Sequence, residues 1–205
     1  DLHQNNRHLF FRFLTVLLWL IRAFALPSRA PCYGLCMDIF VTAGHAPARG
    51  ILKMDDLDAP CALGHGGMET AKKEGDGITP SGAWPVRRIW YRPDREPRPV
   101  ASLEICQIDR KTGWCDDIKR AEYNRPVTLP FGGSHEVLWR DDGLYDIFLE
   151  LGFNDAPPVS PAGSAIFLHL EKNDFQPTLG CIAVSRAVMG RILSHITSDS
   201  VVHVS

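Results

Sequence analysis

The stretch SAIFLHLEKNDFQPTLGCIAVS, residues 164–185, places one histidine and one cysteine on either side of a polar loop. Its first part, residues 164–170, is short, apolar and partly β-branched, which predicts a buried strand that carries His169 near its end. The apolar run that follows Cys181 predicts a second strand or a helix. Cys181 comes only twelve residues after His169, and a return of that length can bring the two side chains together.

The chemistry of these two side chains predicts a catalytic pair. Alternation along the first strand places His169 on the same face as Ala165 and Phe167. A cysteine is mostly thiol at neutral pH, with an ordinary pKa of about 8.5. A neighbouring imidazole stabilises the thiolate and then protonates a leaving group. Gly180 lets the backbone approach closely, so the amides around Cys181 are candidates for an oxyanion hole. The alternative stays open that Cys181 is a small core residue and His169 a strand cap.

The same residues resemble the catalytic domain of the L,D-transpeptidase (YkuD-type) family. That family carries a histidine at a strand end, a loop and then Ser/Thr-x-Gly-Cys, which here are His169 and residues 178–181. Upstream, GDGITPSGAWP at residues 75–85 is similar to the family's G-x-x-T-P-x-G-x-aromatic turn. The resemblance runs from about Met37 to the C-terminus. It includes four shorter segments, at residues 61–64, 114–117, 123–126 and 163–169.

The resemblance implies both a fold and a reaction. The fold is a mainly β, sandwich-like domain with a few short helices, over residues 37–205. In the reaction, Cys181 attacks the carbonyl of the diamino acid at position three of a bacterial peptidoglycan stem peptide. The terminal D-alanine leaves with a proton from His169, and a side-chain amine of a second stem converts the thioester into a cross-link. The chain departs from the family pattern at Leu179, where histidine is usual, and at Ala183, where arginine is frequent.

Further site residues are implied in the same way. A backbone carbonyl near Leu170 or Glu171 is expected to orient His169, with Leu170 and Gly180 as the backbone positions of the site. The predicted substrate-binding residues are Tyr123, Asn124, Asn154 and Thr178. For Asn154 a simple turn role is the alternative. The resemblance also implies that carbapenems acylate the cysteine. No cofactor or metal is predicted, because the histidines lack metal-binding spacing.

Three other functions fit parts of the sequence. Water in place of the amine would make the same site an L,D-carboxypeptidase, or an endopeptidase that acts on existing cross-links. The atypical residues Leu179 and Ala183 leave room for a degenerate site that only binds peptidoglycan. Residues 178–181 also loosely resemble a sortase segment, and His135 would then have to serve as the histidine.

The amino-acid composition restricts the fold class and the kinds of partner that this chain can have. The 205 residues, 45% of them hydrophobic, suit one domain with a substantial core. Fifteen prolines and seventeen glycines favour many turns between short strands. A net charge of −2 argues against nucleic acid as a partner, and no stable protein partner is evident. The six cysteines contain no C-x-x-C pair, which argues against a zinc ribbon, while a disulfide among the five other than Cys181 stays open.

Residues 1–36 differ from the rest of the chain. Phe13–Ile21 is an uncharged apolar run of nine residues, too short for a bilayer, which takes about 20. The run suits the core of a signal peptide, followed by the small-residue pattern at residues 23–25, and predicts a place in the periplasm or cell envelope. Two alternatives stay open. Met37 is the true start after an upstream extension, or the run is an amphipathic membrane-surface helix.

Strand-like patterns recur along the remaining chain. The predicted strands are residues 37–42, 49–54, 60–63, 84–91, 144–152 and 201–204. Residues 185–196 predict an amphipathic helix with Ser185 as its N-cap. The charged residues 72–74 read as a solvated face. Asp116 and Asp117 read as turn caps rather than metal ligands, because adjacent side chains on an extended chain point to opposite faces.

Overall fold

The computed structural model describes residues 37–46 and 48–205, which form fourteen strands and one α-helix. The predictions for residues 1–36 lie outside the described residues. The first seven strands are β1 (Ile39–Ala43), β2 (Arg49–Met54), β3 (Leu57–Ala62), β4 (Met68–Glu69), β5 (Thr79–Pro80), β6 (Gly82–Tyr91) and β7 (Glu104–Gln107). The others are β8 (Thr112–Cys115), β9 (Arg125–Thr128), β10 (His135–Val137), β11 (Ile147–Leu151), β12 (Phe167–Leu170), β13 (Ile182–Val184) and β14 (Val201–Val204). The helix α1 spans Arg186–Leu193.

Nine strands form one large sheet, in the order β11-β12-β13-β3-β2-β1-β14-β6-β7. β11 also pairs with β6, so eight of these strands close into a ring. The parallel pairs in this sheet are β1–β14, β12–β13 and β6–β7. A three-stranded sheet, β10-β8-β9, and the short pair β4–β5 are separate from it. β12 and β13 therefore have hydrogen-bonded neighbours on both sides, which fixes their register.

Two hydrophobic cores cover the two faces of β12 and β13. Leu168 and Ile182 belong to the larger, mostly aliphatic core. Phe167 and Cys181 belong to the smaller core, which is rich in aromatic side chains. The aromatic members of the smaller core are Trp90, Trp114, Tyr145, Phe148 and Phe167. Full burial of one such side chain stabilises the fold by roughly 1.5–3 kcal/mol, so both faces of the strand pair are held in place.

The prediction of a mainly β fold is confirmed, and several elements lie where the sequence places them. β2 and β14 have the predicted bounds. The predicted N-cap is also confirmed, because Oγ of Ser185 accepts a hydrogen bond from the amide of Val188 at 3.3 Å. The helix ends at Leu193 rather than at residue 196. It is the only α-helix among the described residues, where the resemblance implies a few short ones.

The strand that carries the histidine is shorter than predicted. β12 begins at Phe167 rather than at residue 164. Ala165 has a φ of +52°, and its amide donates a hydrogen bond to Oδ1 of Asn124 at 3.1 Å. The chain is therefore bent at Ala165, because a side chain from a distant segment takes the amide that a strand neighbour would otherwise use.

The prediction of a solvated face at residues 72–74 is wrong for two of the three side chains. The side chain of Lys72 is only 4% exposed and forms an ion pair with Asp76. Oε2 of Glu74 accepts hydrogen bonds from the hydroxyls of Tyr123 at 2.5 Å and Ser164 at 2.8 Å. Lys73 alone is exposed. Glu74 turns inward because its partners lie far along the chain, where local sequence does not reveal them.

Several general properties hold for the described part of the chain. Its four cysteines, Cys61, Cys106, Cys115 and Cys181, are free thiols. Within residues 37–46 and 48–205, no helix has both the length and the apolar character needed to cross a membrane. The same residues contain no cluster of three or more histidine, cysteine or carboxylate side chains that could hold a metal ion.

Candidate active site

The parallel pairing of β12 with β13 brings the histidine and the cysteine to one face. In the observed register His169 lies opposite Ala183, and Leu168 lies opposite Ile182. Continuing this register by one residue places Cys181 opposite Phe167. Partners in a parallel ladder share a face, so Cys181 and His169 are diagonal neighbours with Cα atoms about 8 Å apart. The strand-loop-strand alternative of the sequence prediction is the one that the structure adopts.

Both side chains line a cavity of about 500 Å³. Cys181 is 8% exposed and His169 is 5% exposed, so each reaches solvent only through this cavity. Charges of both signs surround them. The charged residues of the lining are Lys72, Glu74, Asp116, Glu136, Arg140 and Lys172. Leu179 also belongs to the lining and is 83% exposed. The cavity therefore holds charged side chains of both signs, and the cysteine and the histidine are buried within it.

His169 is held in one orientation and is neutral. Its Nδ1 donates a hydrogen bond to the carbonyl of Leu170 at 2.7 Å, which is the contact predicted for that backbone position. The ring of Tyr145 lies edge-on at 5.3 Å between centroids. Burial lowers the pKa of His169 to about 4, and the nearby charge of Arg140 acts in the same direction. With the proton on Nδ1, Nε2 carries a free lone pair.

Cys181 is a thiol in this resting site. Its Sγ donates to the carbonyl of Ala165 at 3.1 Å and accepts from the amide of Phe167 at 3.3 Å. Burial raises the pKa of Cys181 to about 12, with the charge of Glu136 acting in the same direction and the Phe167 amide and the charge of Lys72 acting against it. Among the described residues no hydrogen bond joins Sγ to the imidazole. The site at rest is therefore a thiol beside a neutral imidazole.

The turn before the cysteine is held by its own side chains. Oγ1 of Thr178 donates to the carbonyl of Cys181 at 2.6 Å and accepts from the amide of Gly180 at 3.1 Å. Gly180 has a φ of +131°, and a Cβ there would lie 2.8 Å from the carbonyl oxygen of Ile78. Only glycine fits this position without strain. The Gly180 amide, a predicted oxyanion donor, is thus already engaged by Thr178.

The glycine-rich turn at residues 75–85 packs behind the cysteine. Thr79 is fully buried, and its Oγ1 accepts from the amide of Gly64 at 2.8 Å and donates to the carbonyl of Cys181 at 3.4 Å. A Cβ on Gly64 would lie 2.0 Å from the carbonyl oxygen of Gly77, so the two segments approach too closely for any side chain. The second family-like segment therefore supports the backbone of the first.

These features agree with a comparison against known families. The family model described as the L,D-transpeptidase catalytic domain matches residues 52–204. The chain belongs to this family. Two solved structures are similar to it, one described as an L,D-transpeptidase from Mycobacterium smegmatis and the other as Mycobacterium tuberculosis L,D-transpeptidase 1.

The similarity to the two solved structures is distant. The first has a TM-score of 0.38 at 11% identity, over 82% of this chain and 59% of that one. The second has a TM-score of 0.35 at 11% identity, over 82% of this chain and 62% of that one. The L,D-transpeptidase domain described here thus spans about three fifths of the length of either structure. A search of curated proteins finds no match.

Two residues predicted to bind substrate lie outside the cavity lining of this L,D-transpeptidase domain. The hydroxyl of Tyr123 donates to Glu74 and accepts from the amide of Gly163 at 2.9 Å. Oδ1 of Asn124 accepts from the indole of Trp114 at 3.0 Å and from the amide of residue 165. Both side chains are 3% exposed and brace the segment that leads into β12.

Asn154 also lies outside the lining, whereas Thr178 belongs to it. Nδ2 of Asn154 donates to the carbonyls of Val159 at 3.0 Å and Gly163 at 2.8 Å, and its Oδ1 accepts from the Val159 amide at 2.8 Å. These contacts match the turn alternative. His135, the histidine of the sortase alternative, lies outside the lining too, with its Nδ1 against the carbonyl of Gly133 at 2.7 Å.

Several lining residues escape prediction from the sequence. Asp117 caps the amides of Lys119 and Ser134, as expected, but Asp116 lines the cavity, and its Oδ1 is buried without a hydrogen-bond partner. Tyr145 reaches the site because the amide of Leu170 donates a hydrogen bond to the carbonyl of Leu144, the residue before Tyr145. The sequence around Tyr145 does not reveal this contact. For Lys72 the sequence offers only its four-residue spacing from Asp76, which does not distinguish a buried ion pair from an exposed one.

Proposed function

We propose that this chain is a cysteine-dependent L,D-transpeptidase that acts on peptidoglycan stem peptides through a thioester on Cys181. One observation carries the proposal. Cys181 and His169 project from adjacent parallel strands into one cavity, and the Leu170 carbonyl fixes the imidazole with Nε2 unprotonated. A cysteine beside an oriented base is the arrangement that nucleophilic acyl transfer requires. Family membership supplies the substrate class.

The first half of the reaction forms the acyl-enzyme. The proton of the Cys181 thiol passes to Nε2 of His169 as Sγ bonds to the carbonyl carbon of the diamino acid at position three. Electrons move onto the carbonyl oxygen and then return, which breaks the C–N bond to the terminal D-alanine. The imidazolium gives its proton to the departing amine. A thioester and free D-alanine result.

The second half transfers the acyl group. The side-chain amine of another stem attacks the thioester carbon, and His169 takes the proton that this amine loses. The S–C bond then breaks, and the same proton returns to Sγ of Cys181, so the site regains its resting state. Water in place of the amine gives an L,D-carboxypeptidase, or an endopeptidase on an existing cross-link.

The pKa values of the pair indicate when the nucleophile forms. A thiol with a pKa of about 12 beside an imidazole with a pKa of about 4 does not exchange its proton at rest. Both shifts arise mainly from burial, which disfavours charge on either group. We therefore expect proton transfer to accompany the attack on a bound substrate rather than to precede it. The Gly180 amide joins the oxyanion hole only if it releases Thr178.

The substrate places the proposed activity outside the cytoplasmic membrane, in the periplasm or cell envelope. Peptidoglycan is found there, and the apolar run at Phe13–Ile21 fits a signal peptide that would direct export. The function of cross-linking or remodelling the cell wall follows from the reaction.

The proposal is tested by product analysis with the full chain. The protein is incubated with a tetrapeptide stem whose side-chain amine is acetylated, with and without an added amine acceptor, and the products are read by mass spectrometry. We expect D-alanine release in both cases and a cross-linked product only with the acceptor. Cys181→Ala should abolish both products, whereas Cys106→Ser, which changes a cysteine outside the cavity, should leave them unchanged. Inert wild-type protein that still binds the stem would favour the binding-module alternative, and equal turnover by Cys181→Ala would overturn the proposal.

A further inference from the structure

The wall of the cavity contains a buried ammonium group. The side chain of Lys72 is 4% exposed, and its Nζ lies 2.6 Å from Oδ1 of Asp76. Lysine side chains are almost never buried to this extent unless they are paired. The proposed reaction makes no use of this charge so far.

Two glycines make room for this side chain beside the nucleophile. A Cβ at Gly163 would lie 3.0 Å from both Cγ and Cε of Lys72, so the lysine stem occupies the space that a side chain there would fill. A Cβ at Gly180 would lie 3.4 Å from Nζ. The ammonium group is therefore next to the residue that precedes Cys181 in the chain, in the same cavity lining.

The ammonium group is fixed in place and still has capacity to interact. Asp76 accepts hydrogen bonds from the backbone amides of Lys73 at 2.6 Å and Ile78 at 2.9 Å, which holds its carboxylate rigidly. An ammonium has three N–H donors. Asp76 takes one, and the carbonyl of Lys73 makes only a long contact at 3.4 Å with another. At least one donor of Lys72 remains available in a wall of the cavity.

We propose that Lys72 is a positioning charge for the nucleophile, which stabilises negative charge on Sγ of Cys181 and offsets the opposing carboxylate of Glu136. Its catalytic consequence rests on the proposed function, but its effect on the thiol does not. The charge of Lys72 acts to lower the pKa of Cys181, while that of Glu136 acts to raise it. A neighbouring cation in a partly buried site changes a thiolate equilibrium by a factor on the order of ten.

The test measures the thiol directly, without substrate. Full-length protein is alkylated with iodoacetamide between pH 7 and pH 10, and modification of the Cys181 peptide is followed by mass spectrometry. Lys72→Gln should slow alkylation about tenfold at every pH in this range, because far below a pKa of about 12 the thiolate fraction is proportional to the acidity constant of the thiol. Lys73→Gln, which removes the neighbouring exposed charge, should change the rate less than twofold. Lys72→Arg should stay close to wild type.

The decisive variant is Asp76→Asn, because it separates an electrostatic role from a structural one. If Lys72 acts through its charge, removing its counter-ion should speed alkylation of Cys181. If the ion pair only holds the fold, losing either partner loosens the wall around the buried thiol, so Asp76→Asn and Lys72→Gln should change alkylation in the same direction or leave it unchanged, and either result overturns the inference. Should Lys72→Gln fail to fold, Lys72→Met, which keeps the length of the buried side chain and removes its charge, takes its place in this comparison.

The outcome is distinguishable from failure of the proposed function. Opposite effects of Lys72→Gln and Asp76→Asn on alkylation, in a protein that turns over no stem peptide, would uphold the role of Lys72 and overturn the transpeptidase proposal. If instead the wild type turns over stem peptides, and Lys72→Gln changes neither the alkylation rate nor kcat, the transpeptidase proposal stands and the role of Lys72 is overturned.

Discussion

Cys181 and His169 are both uncharged at rest because burial opposes charge on each of them. Burial raises the pKa of the thiol to about 12 and lowers that of the imidazole to about 4. At rest the thiol is thus a neutral proton donor and the imidazole a neutral proton acceptor. When Sγ attacks the substrate carbonyl, negative charge moves onto the carbonyl oxygen and the thiol proton passes to His169. Formation of the nucleophile therefore depends on substrate binding.

The lowered pKa of His169 makes stability depend on pH with a definite sign. A group whose pKa falls on folding contributes stability that is present above its unfolded pKa of about 6.5 and lost as pH falls towards about 4. Between pH 7 and pH 5 the wild type should lose about 2 kcal/mol more unfolding free energy than His169→Gln. Urea unfolding at both pH values checks this. His195→Gln, at an exposed histidine, should keep the wild-type loss, and an equal loss in His169→Gln would contradict the account.

Thr178 should act through the backbone of the cysteine rather than through substrate affinity. Its hydroxyl joins the Cys181 carbonyl to the Gly180 amide. Thr178→Val removes both hydrogen bonds and leaves the Gly180 amide without its hydroxyl partner, at a cost of about 1–3 kcal/mol in stability. We expect kcat for stem turnover to fall about tenfold or more with little change in KM, and Thr178→Ser to restore it. A change in KM alone would instead indicate direct substrate contact.

The strand pair β12–β13 is the element that creates the site. Each strand has a neighbour on both sides, and each buries one face in the aliphatic core and the other in the aromatic core. A slip of one residue in either strand would move its site residue to the opposite face. The closed ring of eight strands therefore protects the alignment of His169 with Cys181.

Two glycines should respond to alanine in opposite ways. Gly190 lies inside α1 with nothing within 4 Å of an added Cβ, so Gly190→Ala should raise the unfolding free energy by about 0.5–1 kcal/mol. At Gly64 a Cβ would lie 2.0 Å from a carbonyl oxygen, so Gly64→Ala should destabilise by several times that amount. Urea unfolding measures both changes. A neutral Gly64→Ala would refute the close approach of these segments.

Sequence predicts strands well where the pattern is local. β2 and β14 follow from β-branched and apolar runs between turns, and the first turn of α1 follows from Ser185 as N-cap. The bend at Ala165 could not be predicted, because its cause is the side chain of Asn124, 41 residues away. β8 and β10 could not be predicted either, because their residues show no clear alternation of apolar and polar side chains, and their pairing joins segments that are apart in the chain.

Some residues of the candidate site could be predicted from the sequence and others could not. The sequence predicts Cys181 and His169 as a pair from their spacing together with the family-like motifs, and the structure places both in one cavity with the predicted Leu170 carbonyl against the imidazole. Lys72 and Tyr145 reach the cavity through contacts between segments far apart in the chain. Local composition gives a charged lysine the appearance of a surface residue, and only tertiary packing shows that it is buried.

At the scale of the whole molecule, the last strand completes the sheet. β14 pairs in parallel with β1 and antiparallel with β6, so it joins the two ends of the described domain inside the ring. Val202 is fully buried at this position. β14 is thus a central part of the fold, although it is the last strand of the described domain.

Deleting residues 201–205 should therefore remove the cooperative unfolding transition, because two strand pairings are lost together. Circular dichroism during urea unfolding gives the readout. Deleting Ser205 alone removes one backbone hydrogen bond, to the carbonyl of Val41 at 2.9 Å, and should cost no more than about 1 kcal/mol. A deletion of residues 201–205 that keeps the wild-type midpoint would show that the ring is not needed for stability.

The central claim is that Cys181 carries the acyl group. The intact mass of the full chain, measured soon after mixing with a tetrapeptide stem and quenching in acid, tests it most directly. We predict an added mass equal to the mass of the stem minus the mass of free D-alanine, located on the Cys181 peptide, absent from Cys181→Ala and retained in Cys106→Ser. Stem turnover by a wild-type protein with no adduct at Cys181, or an adduct that persists in Cys181→Ala, would contradict the account.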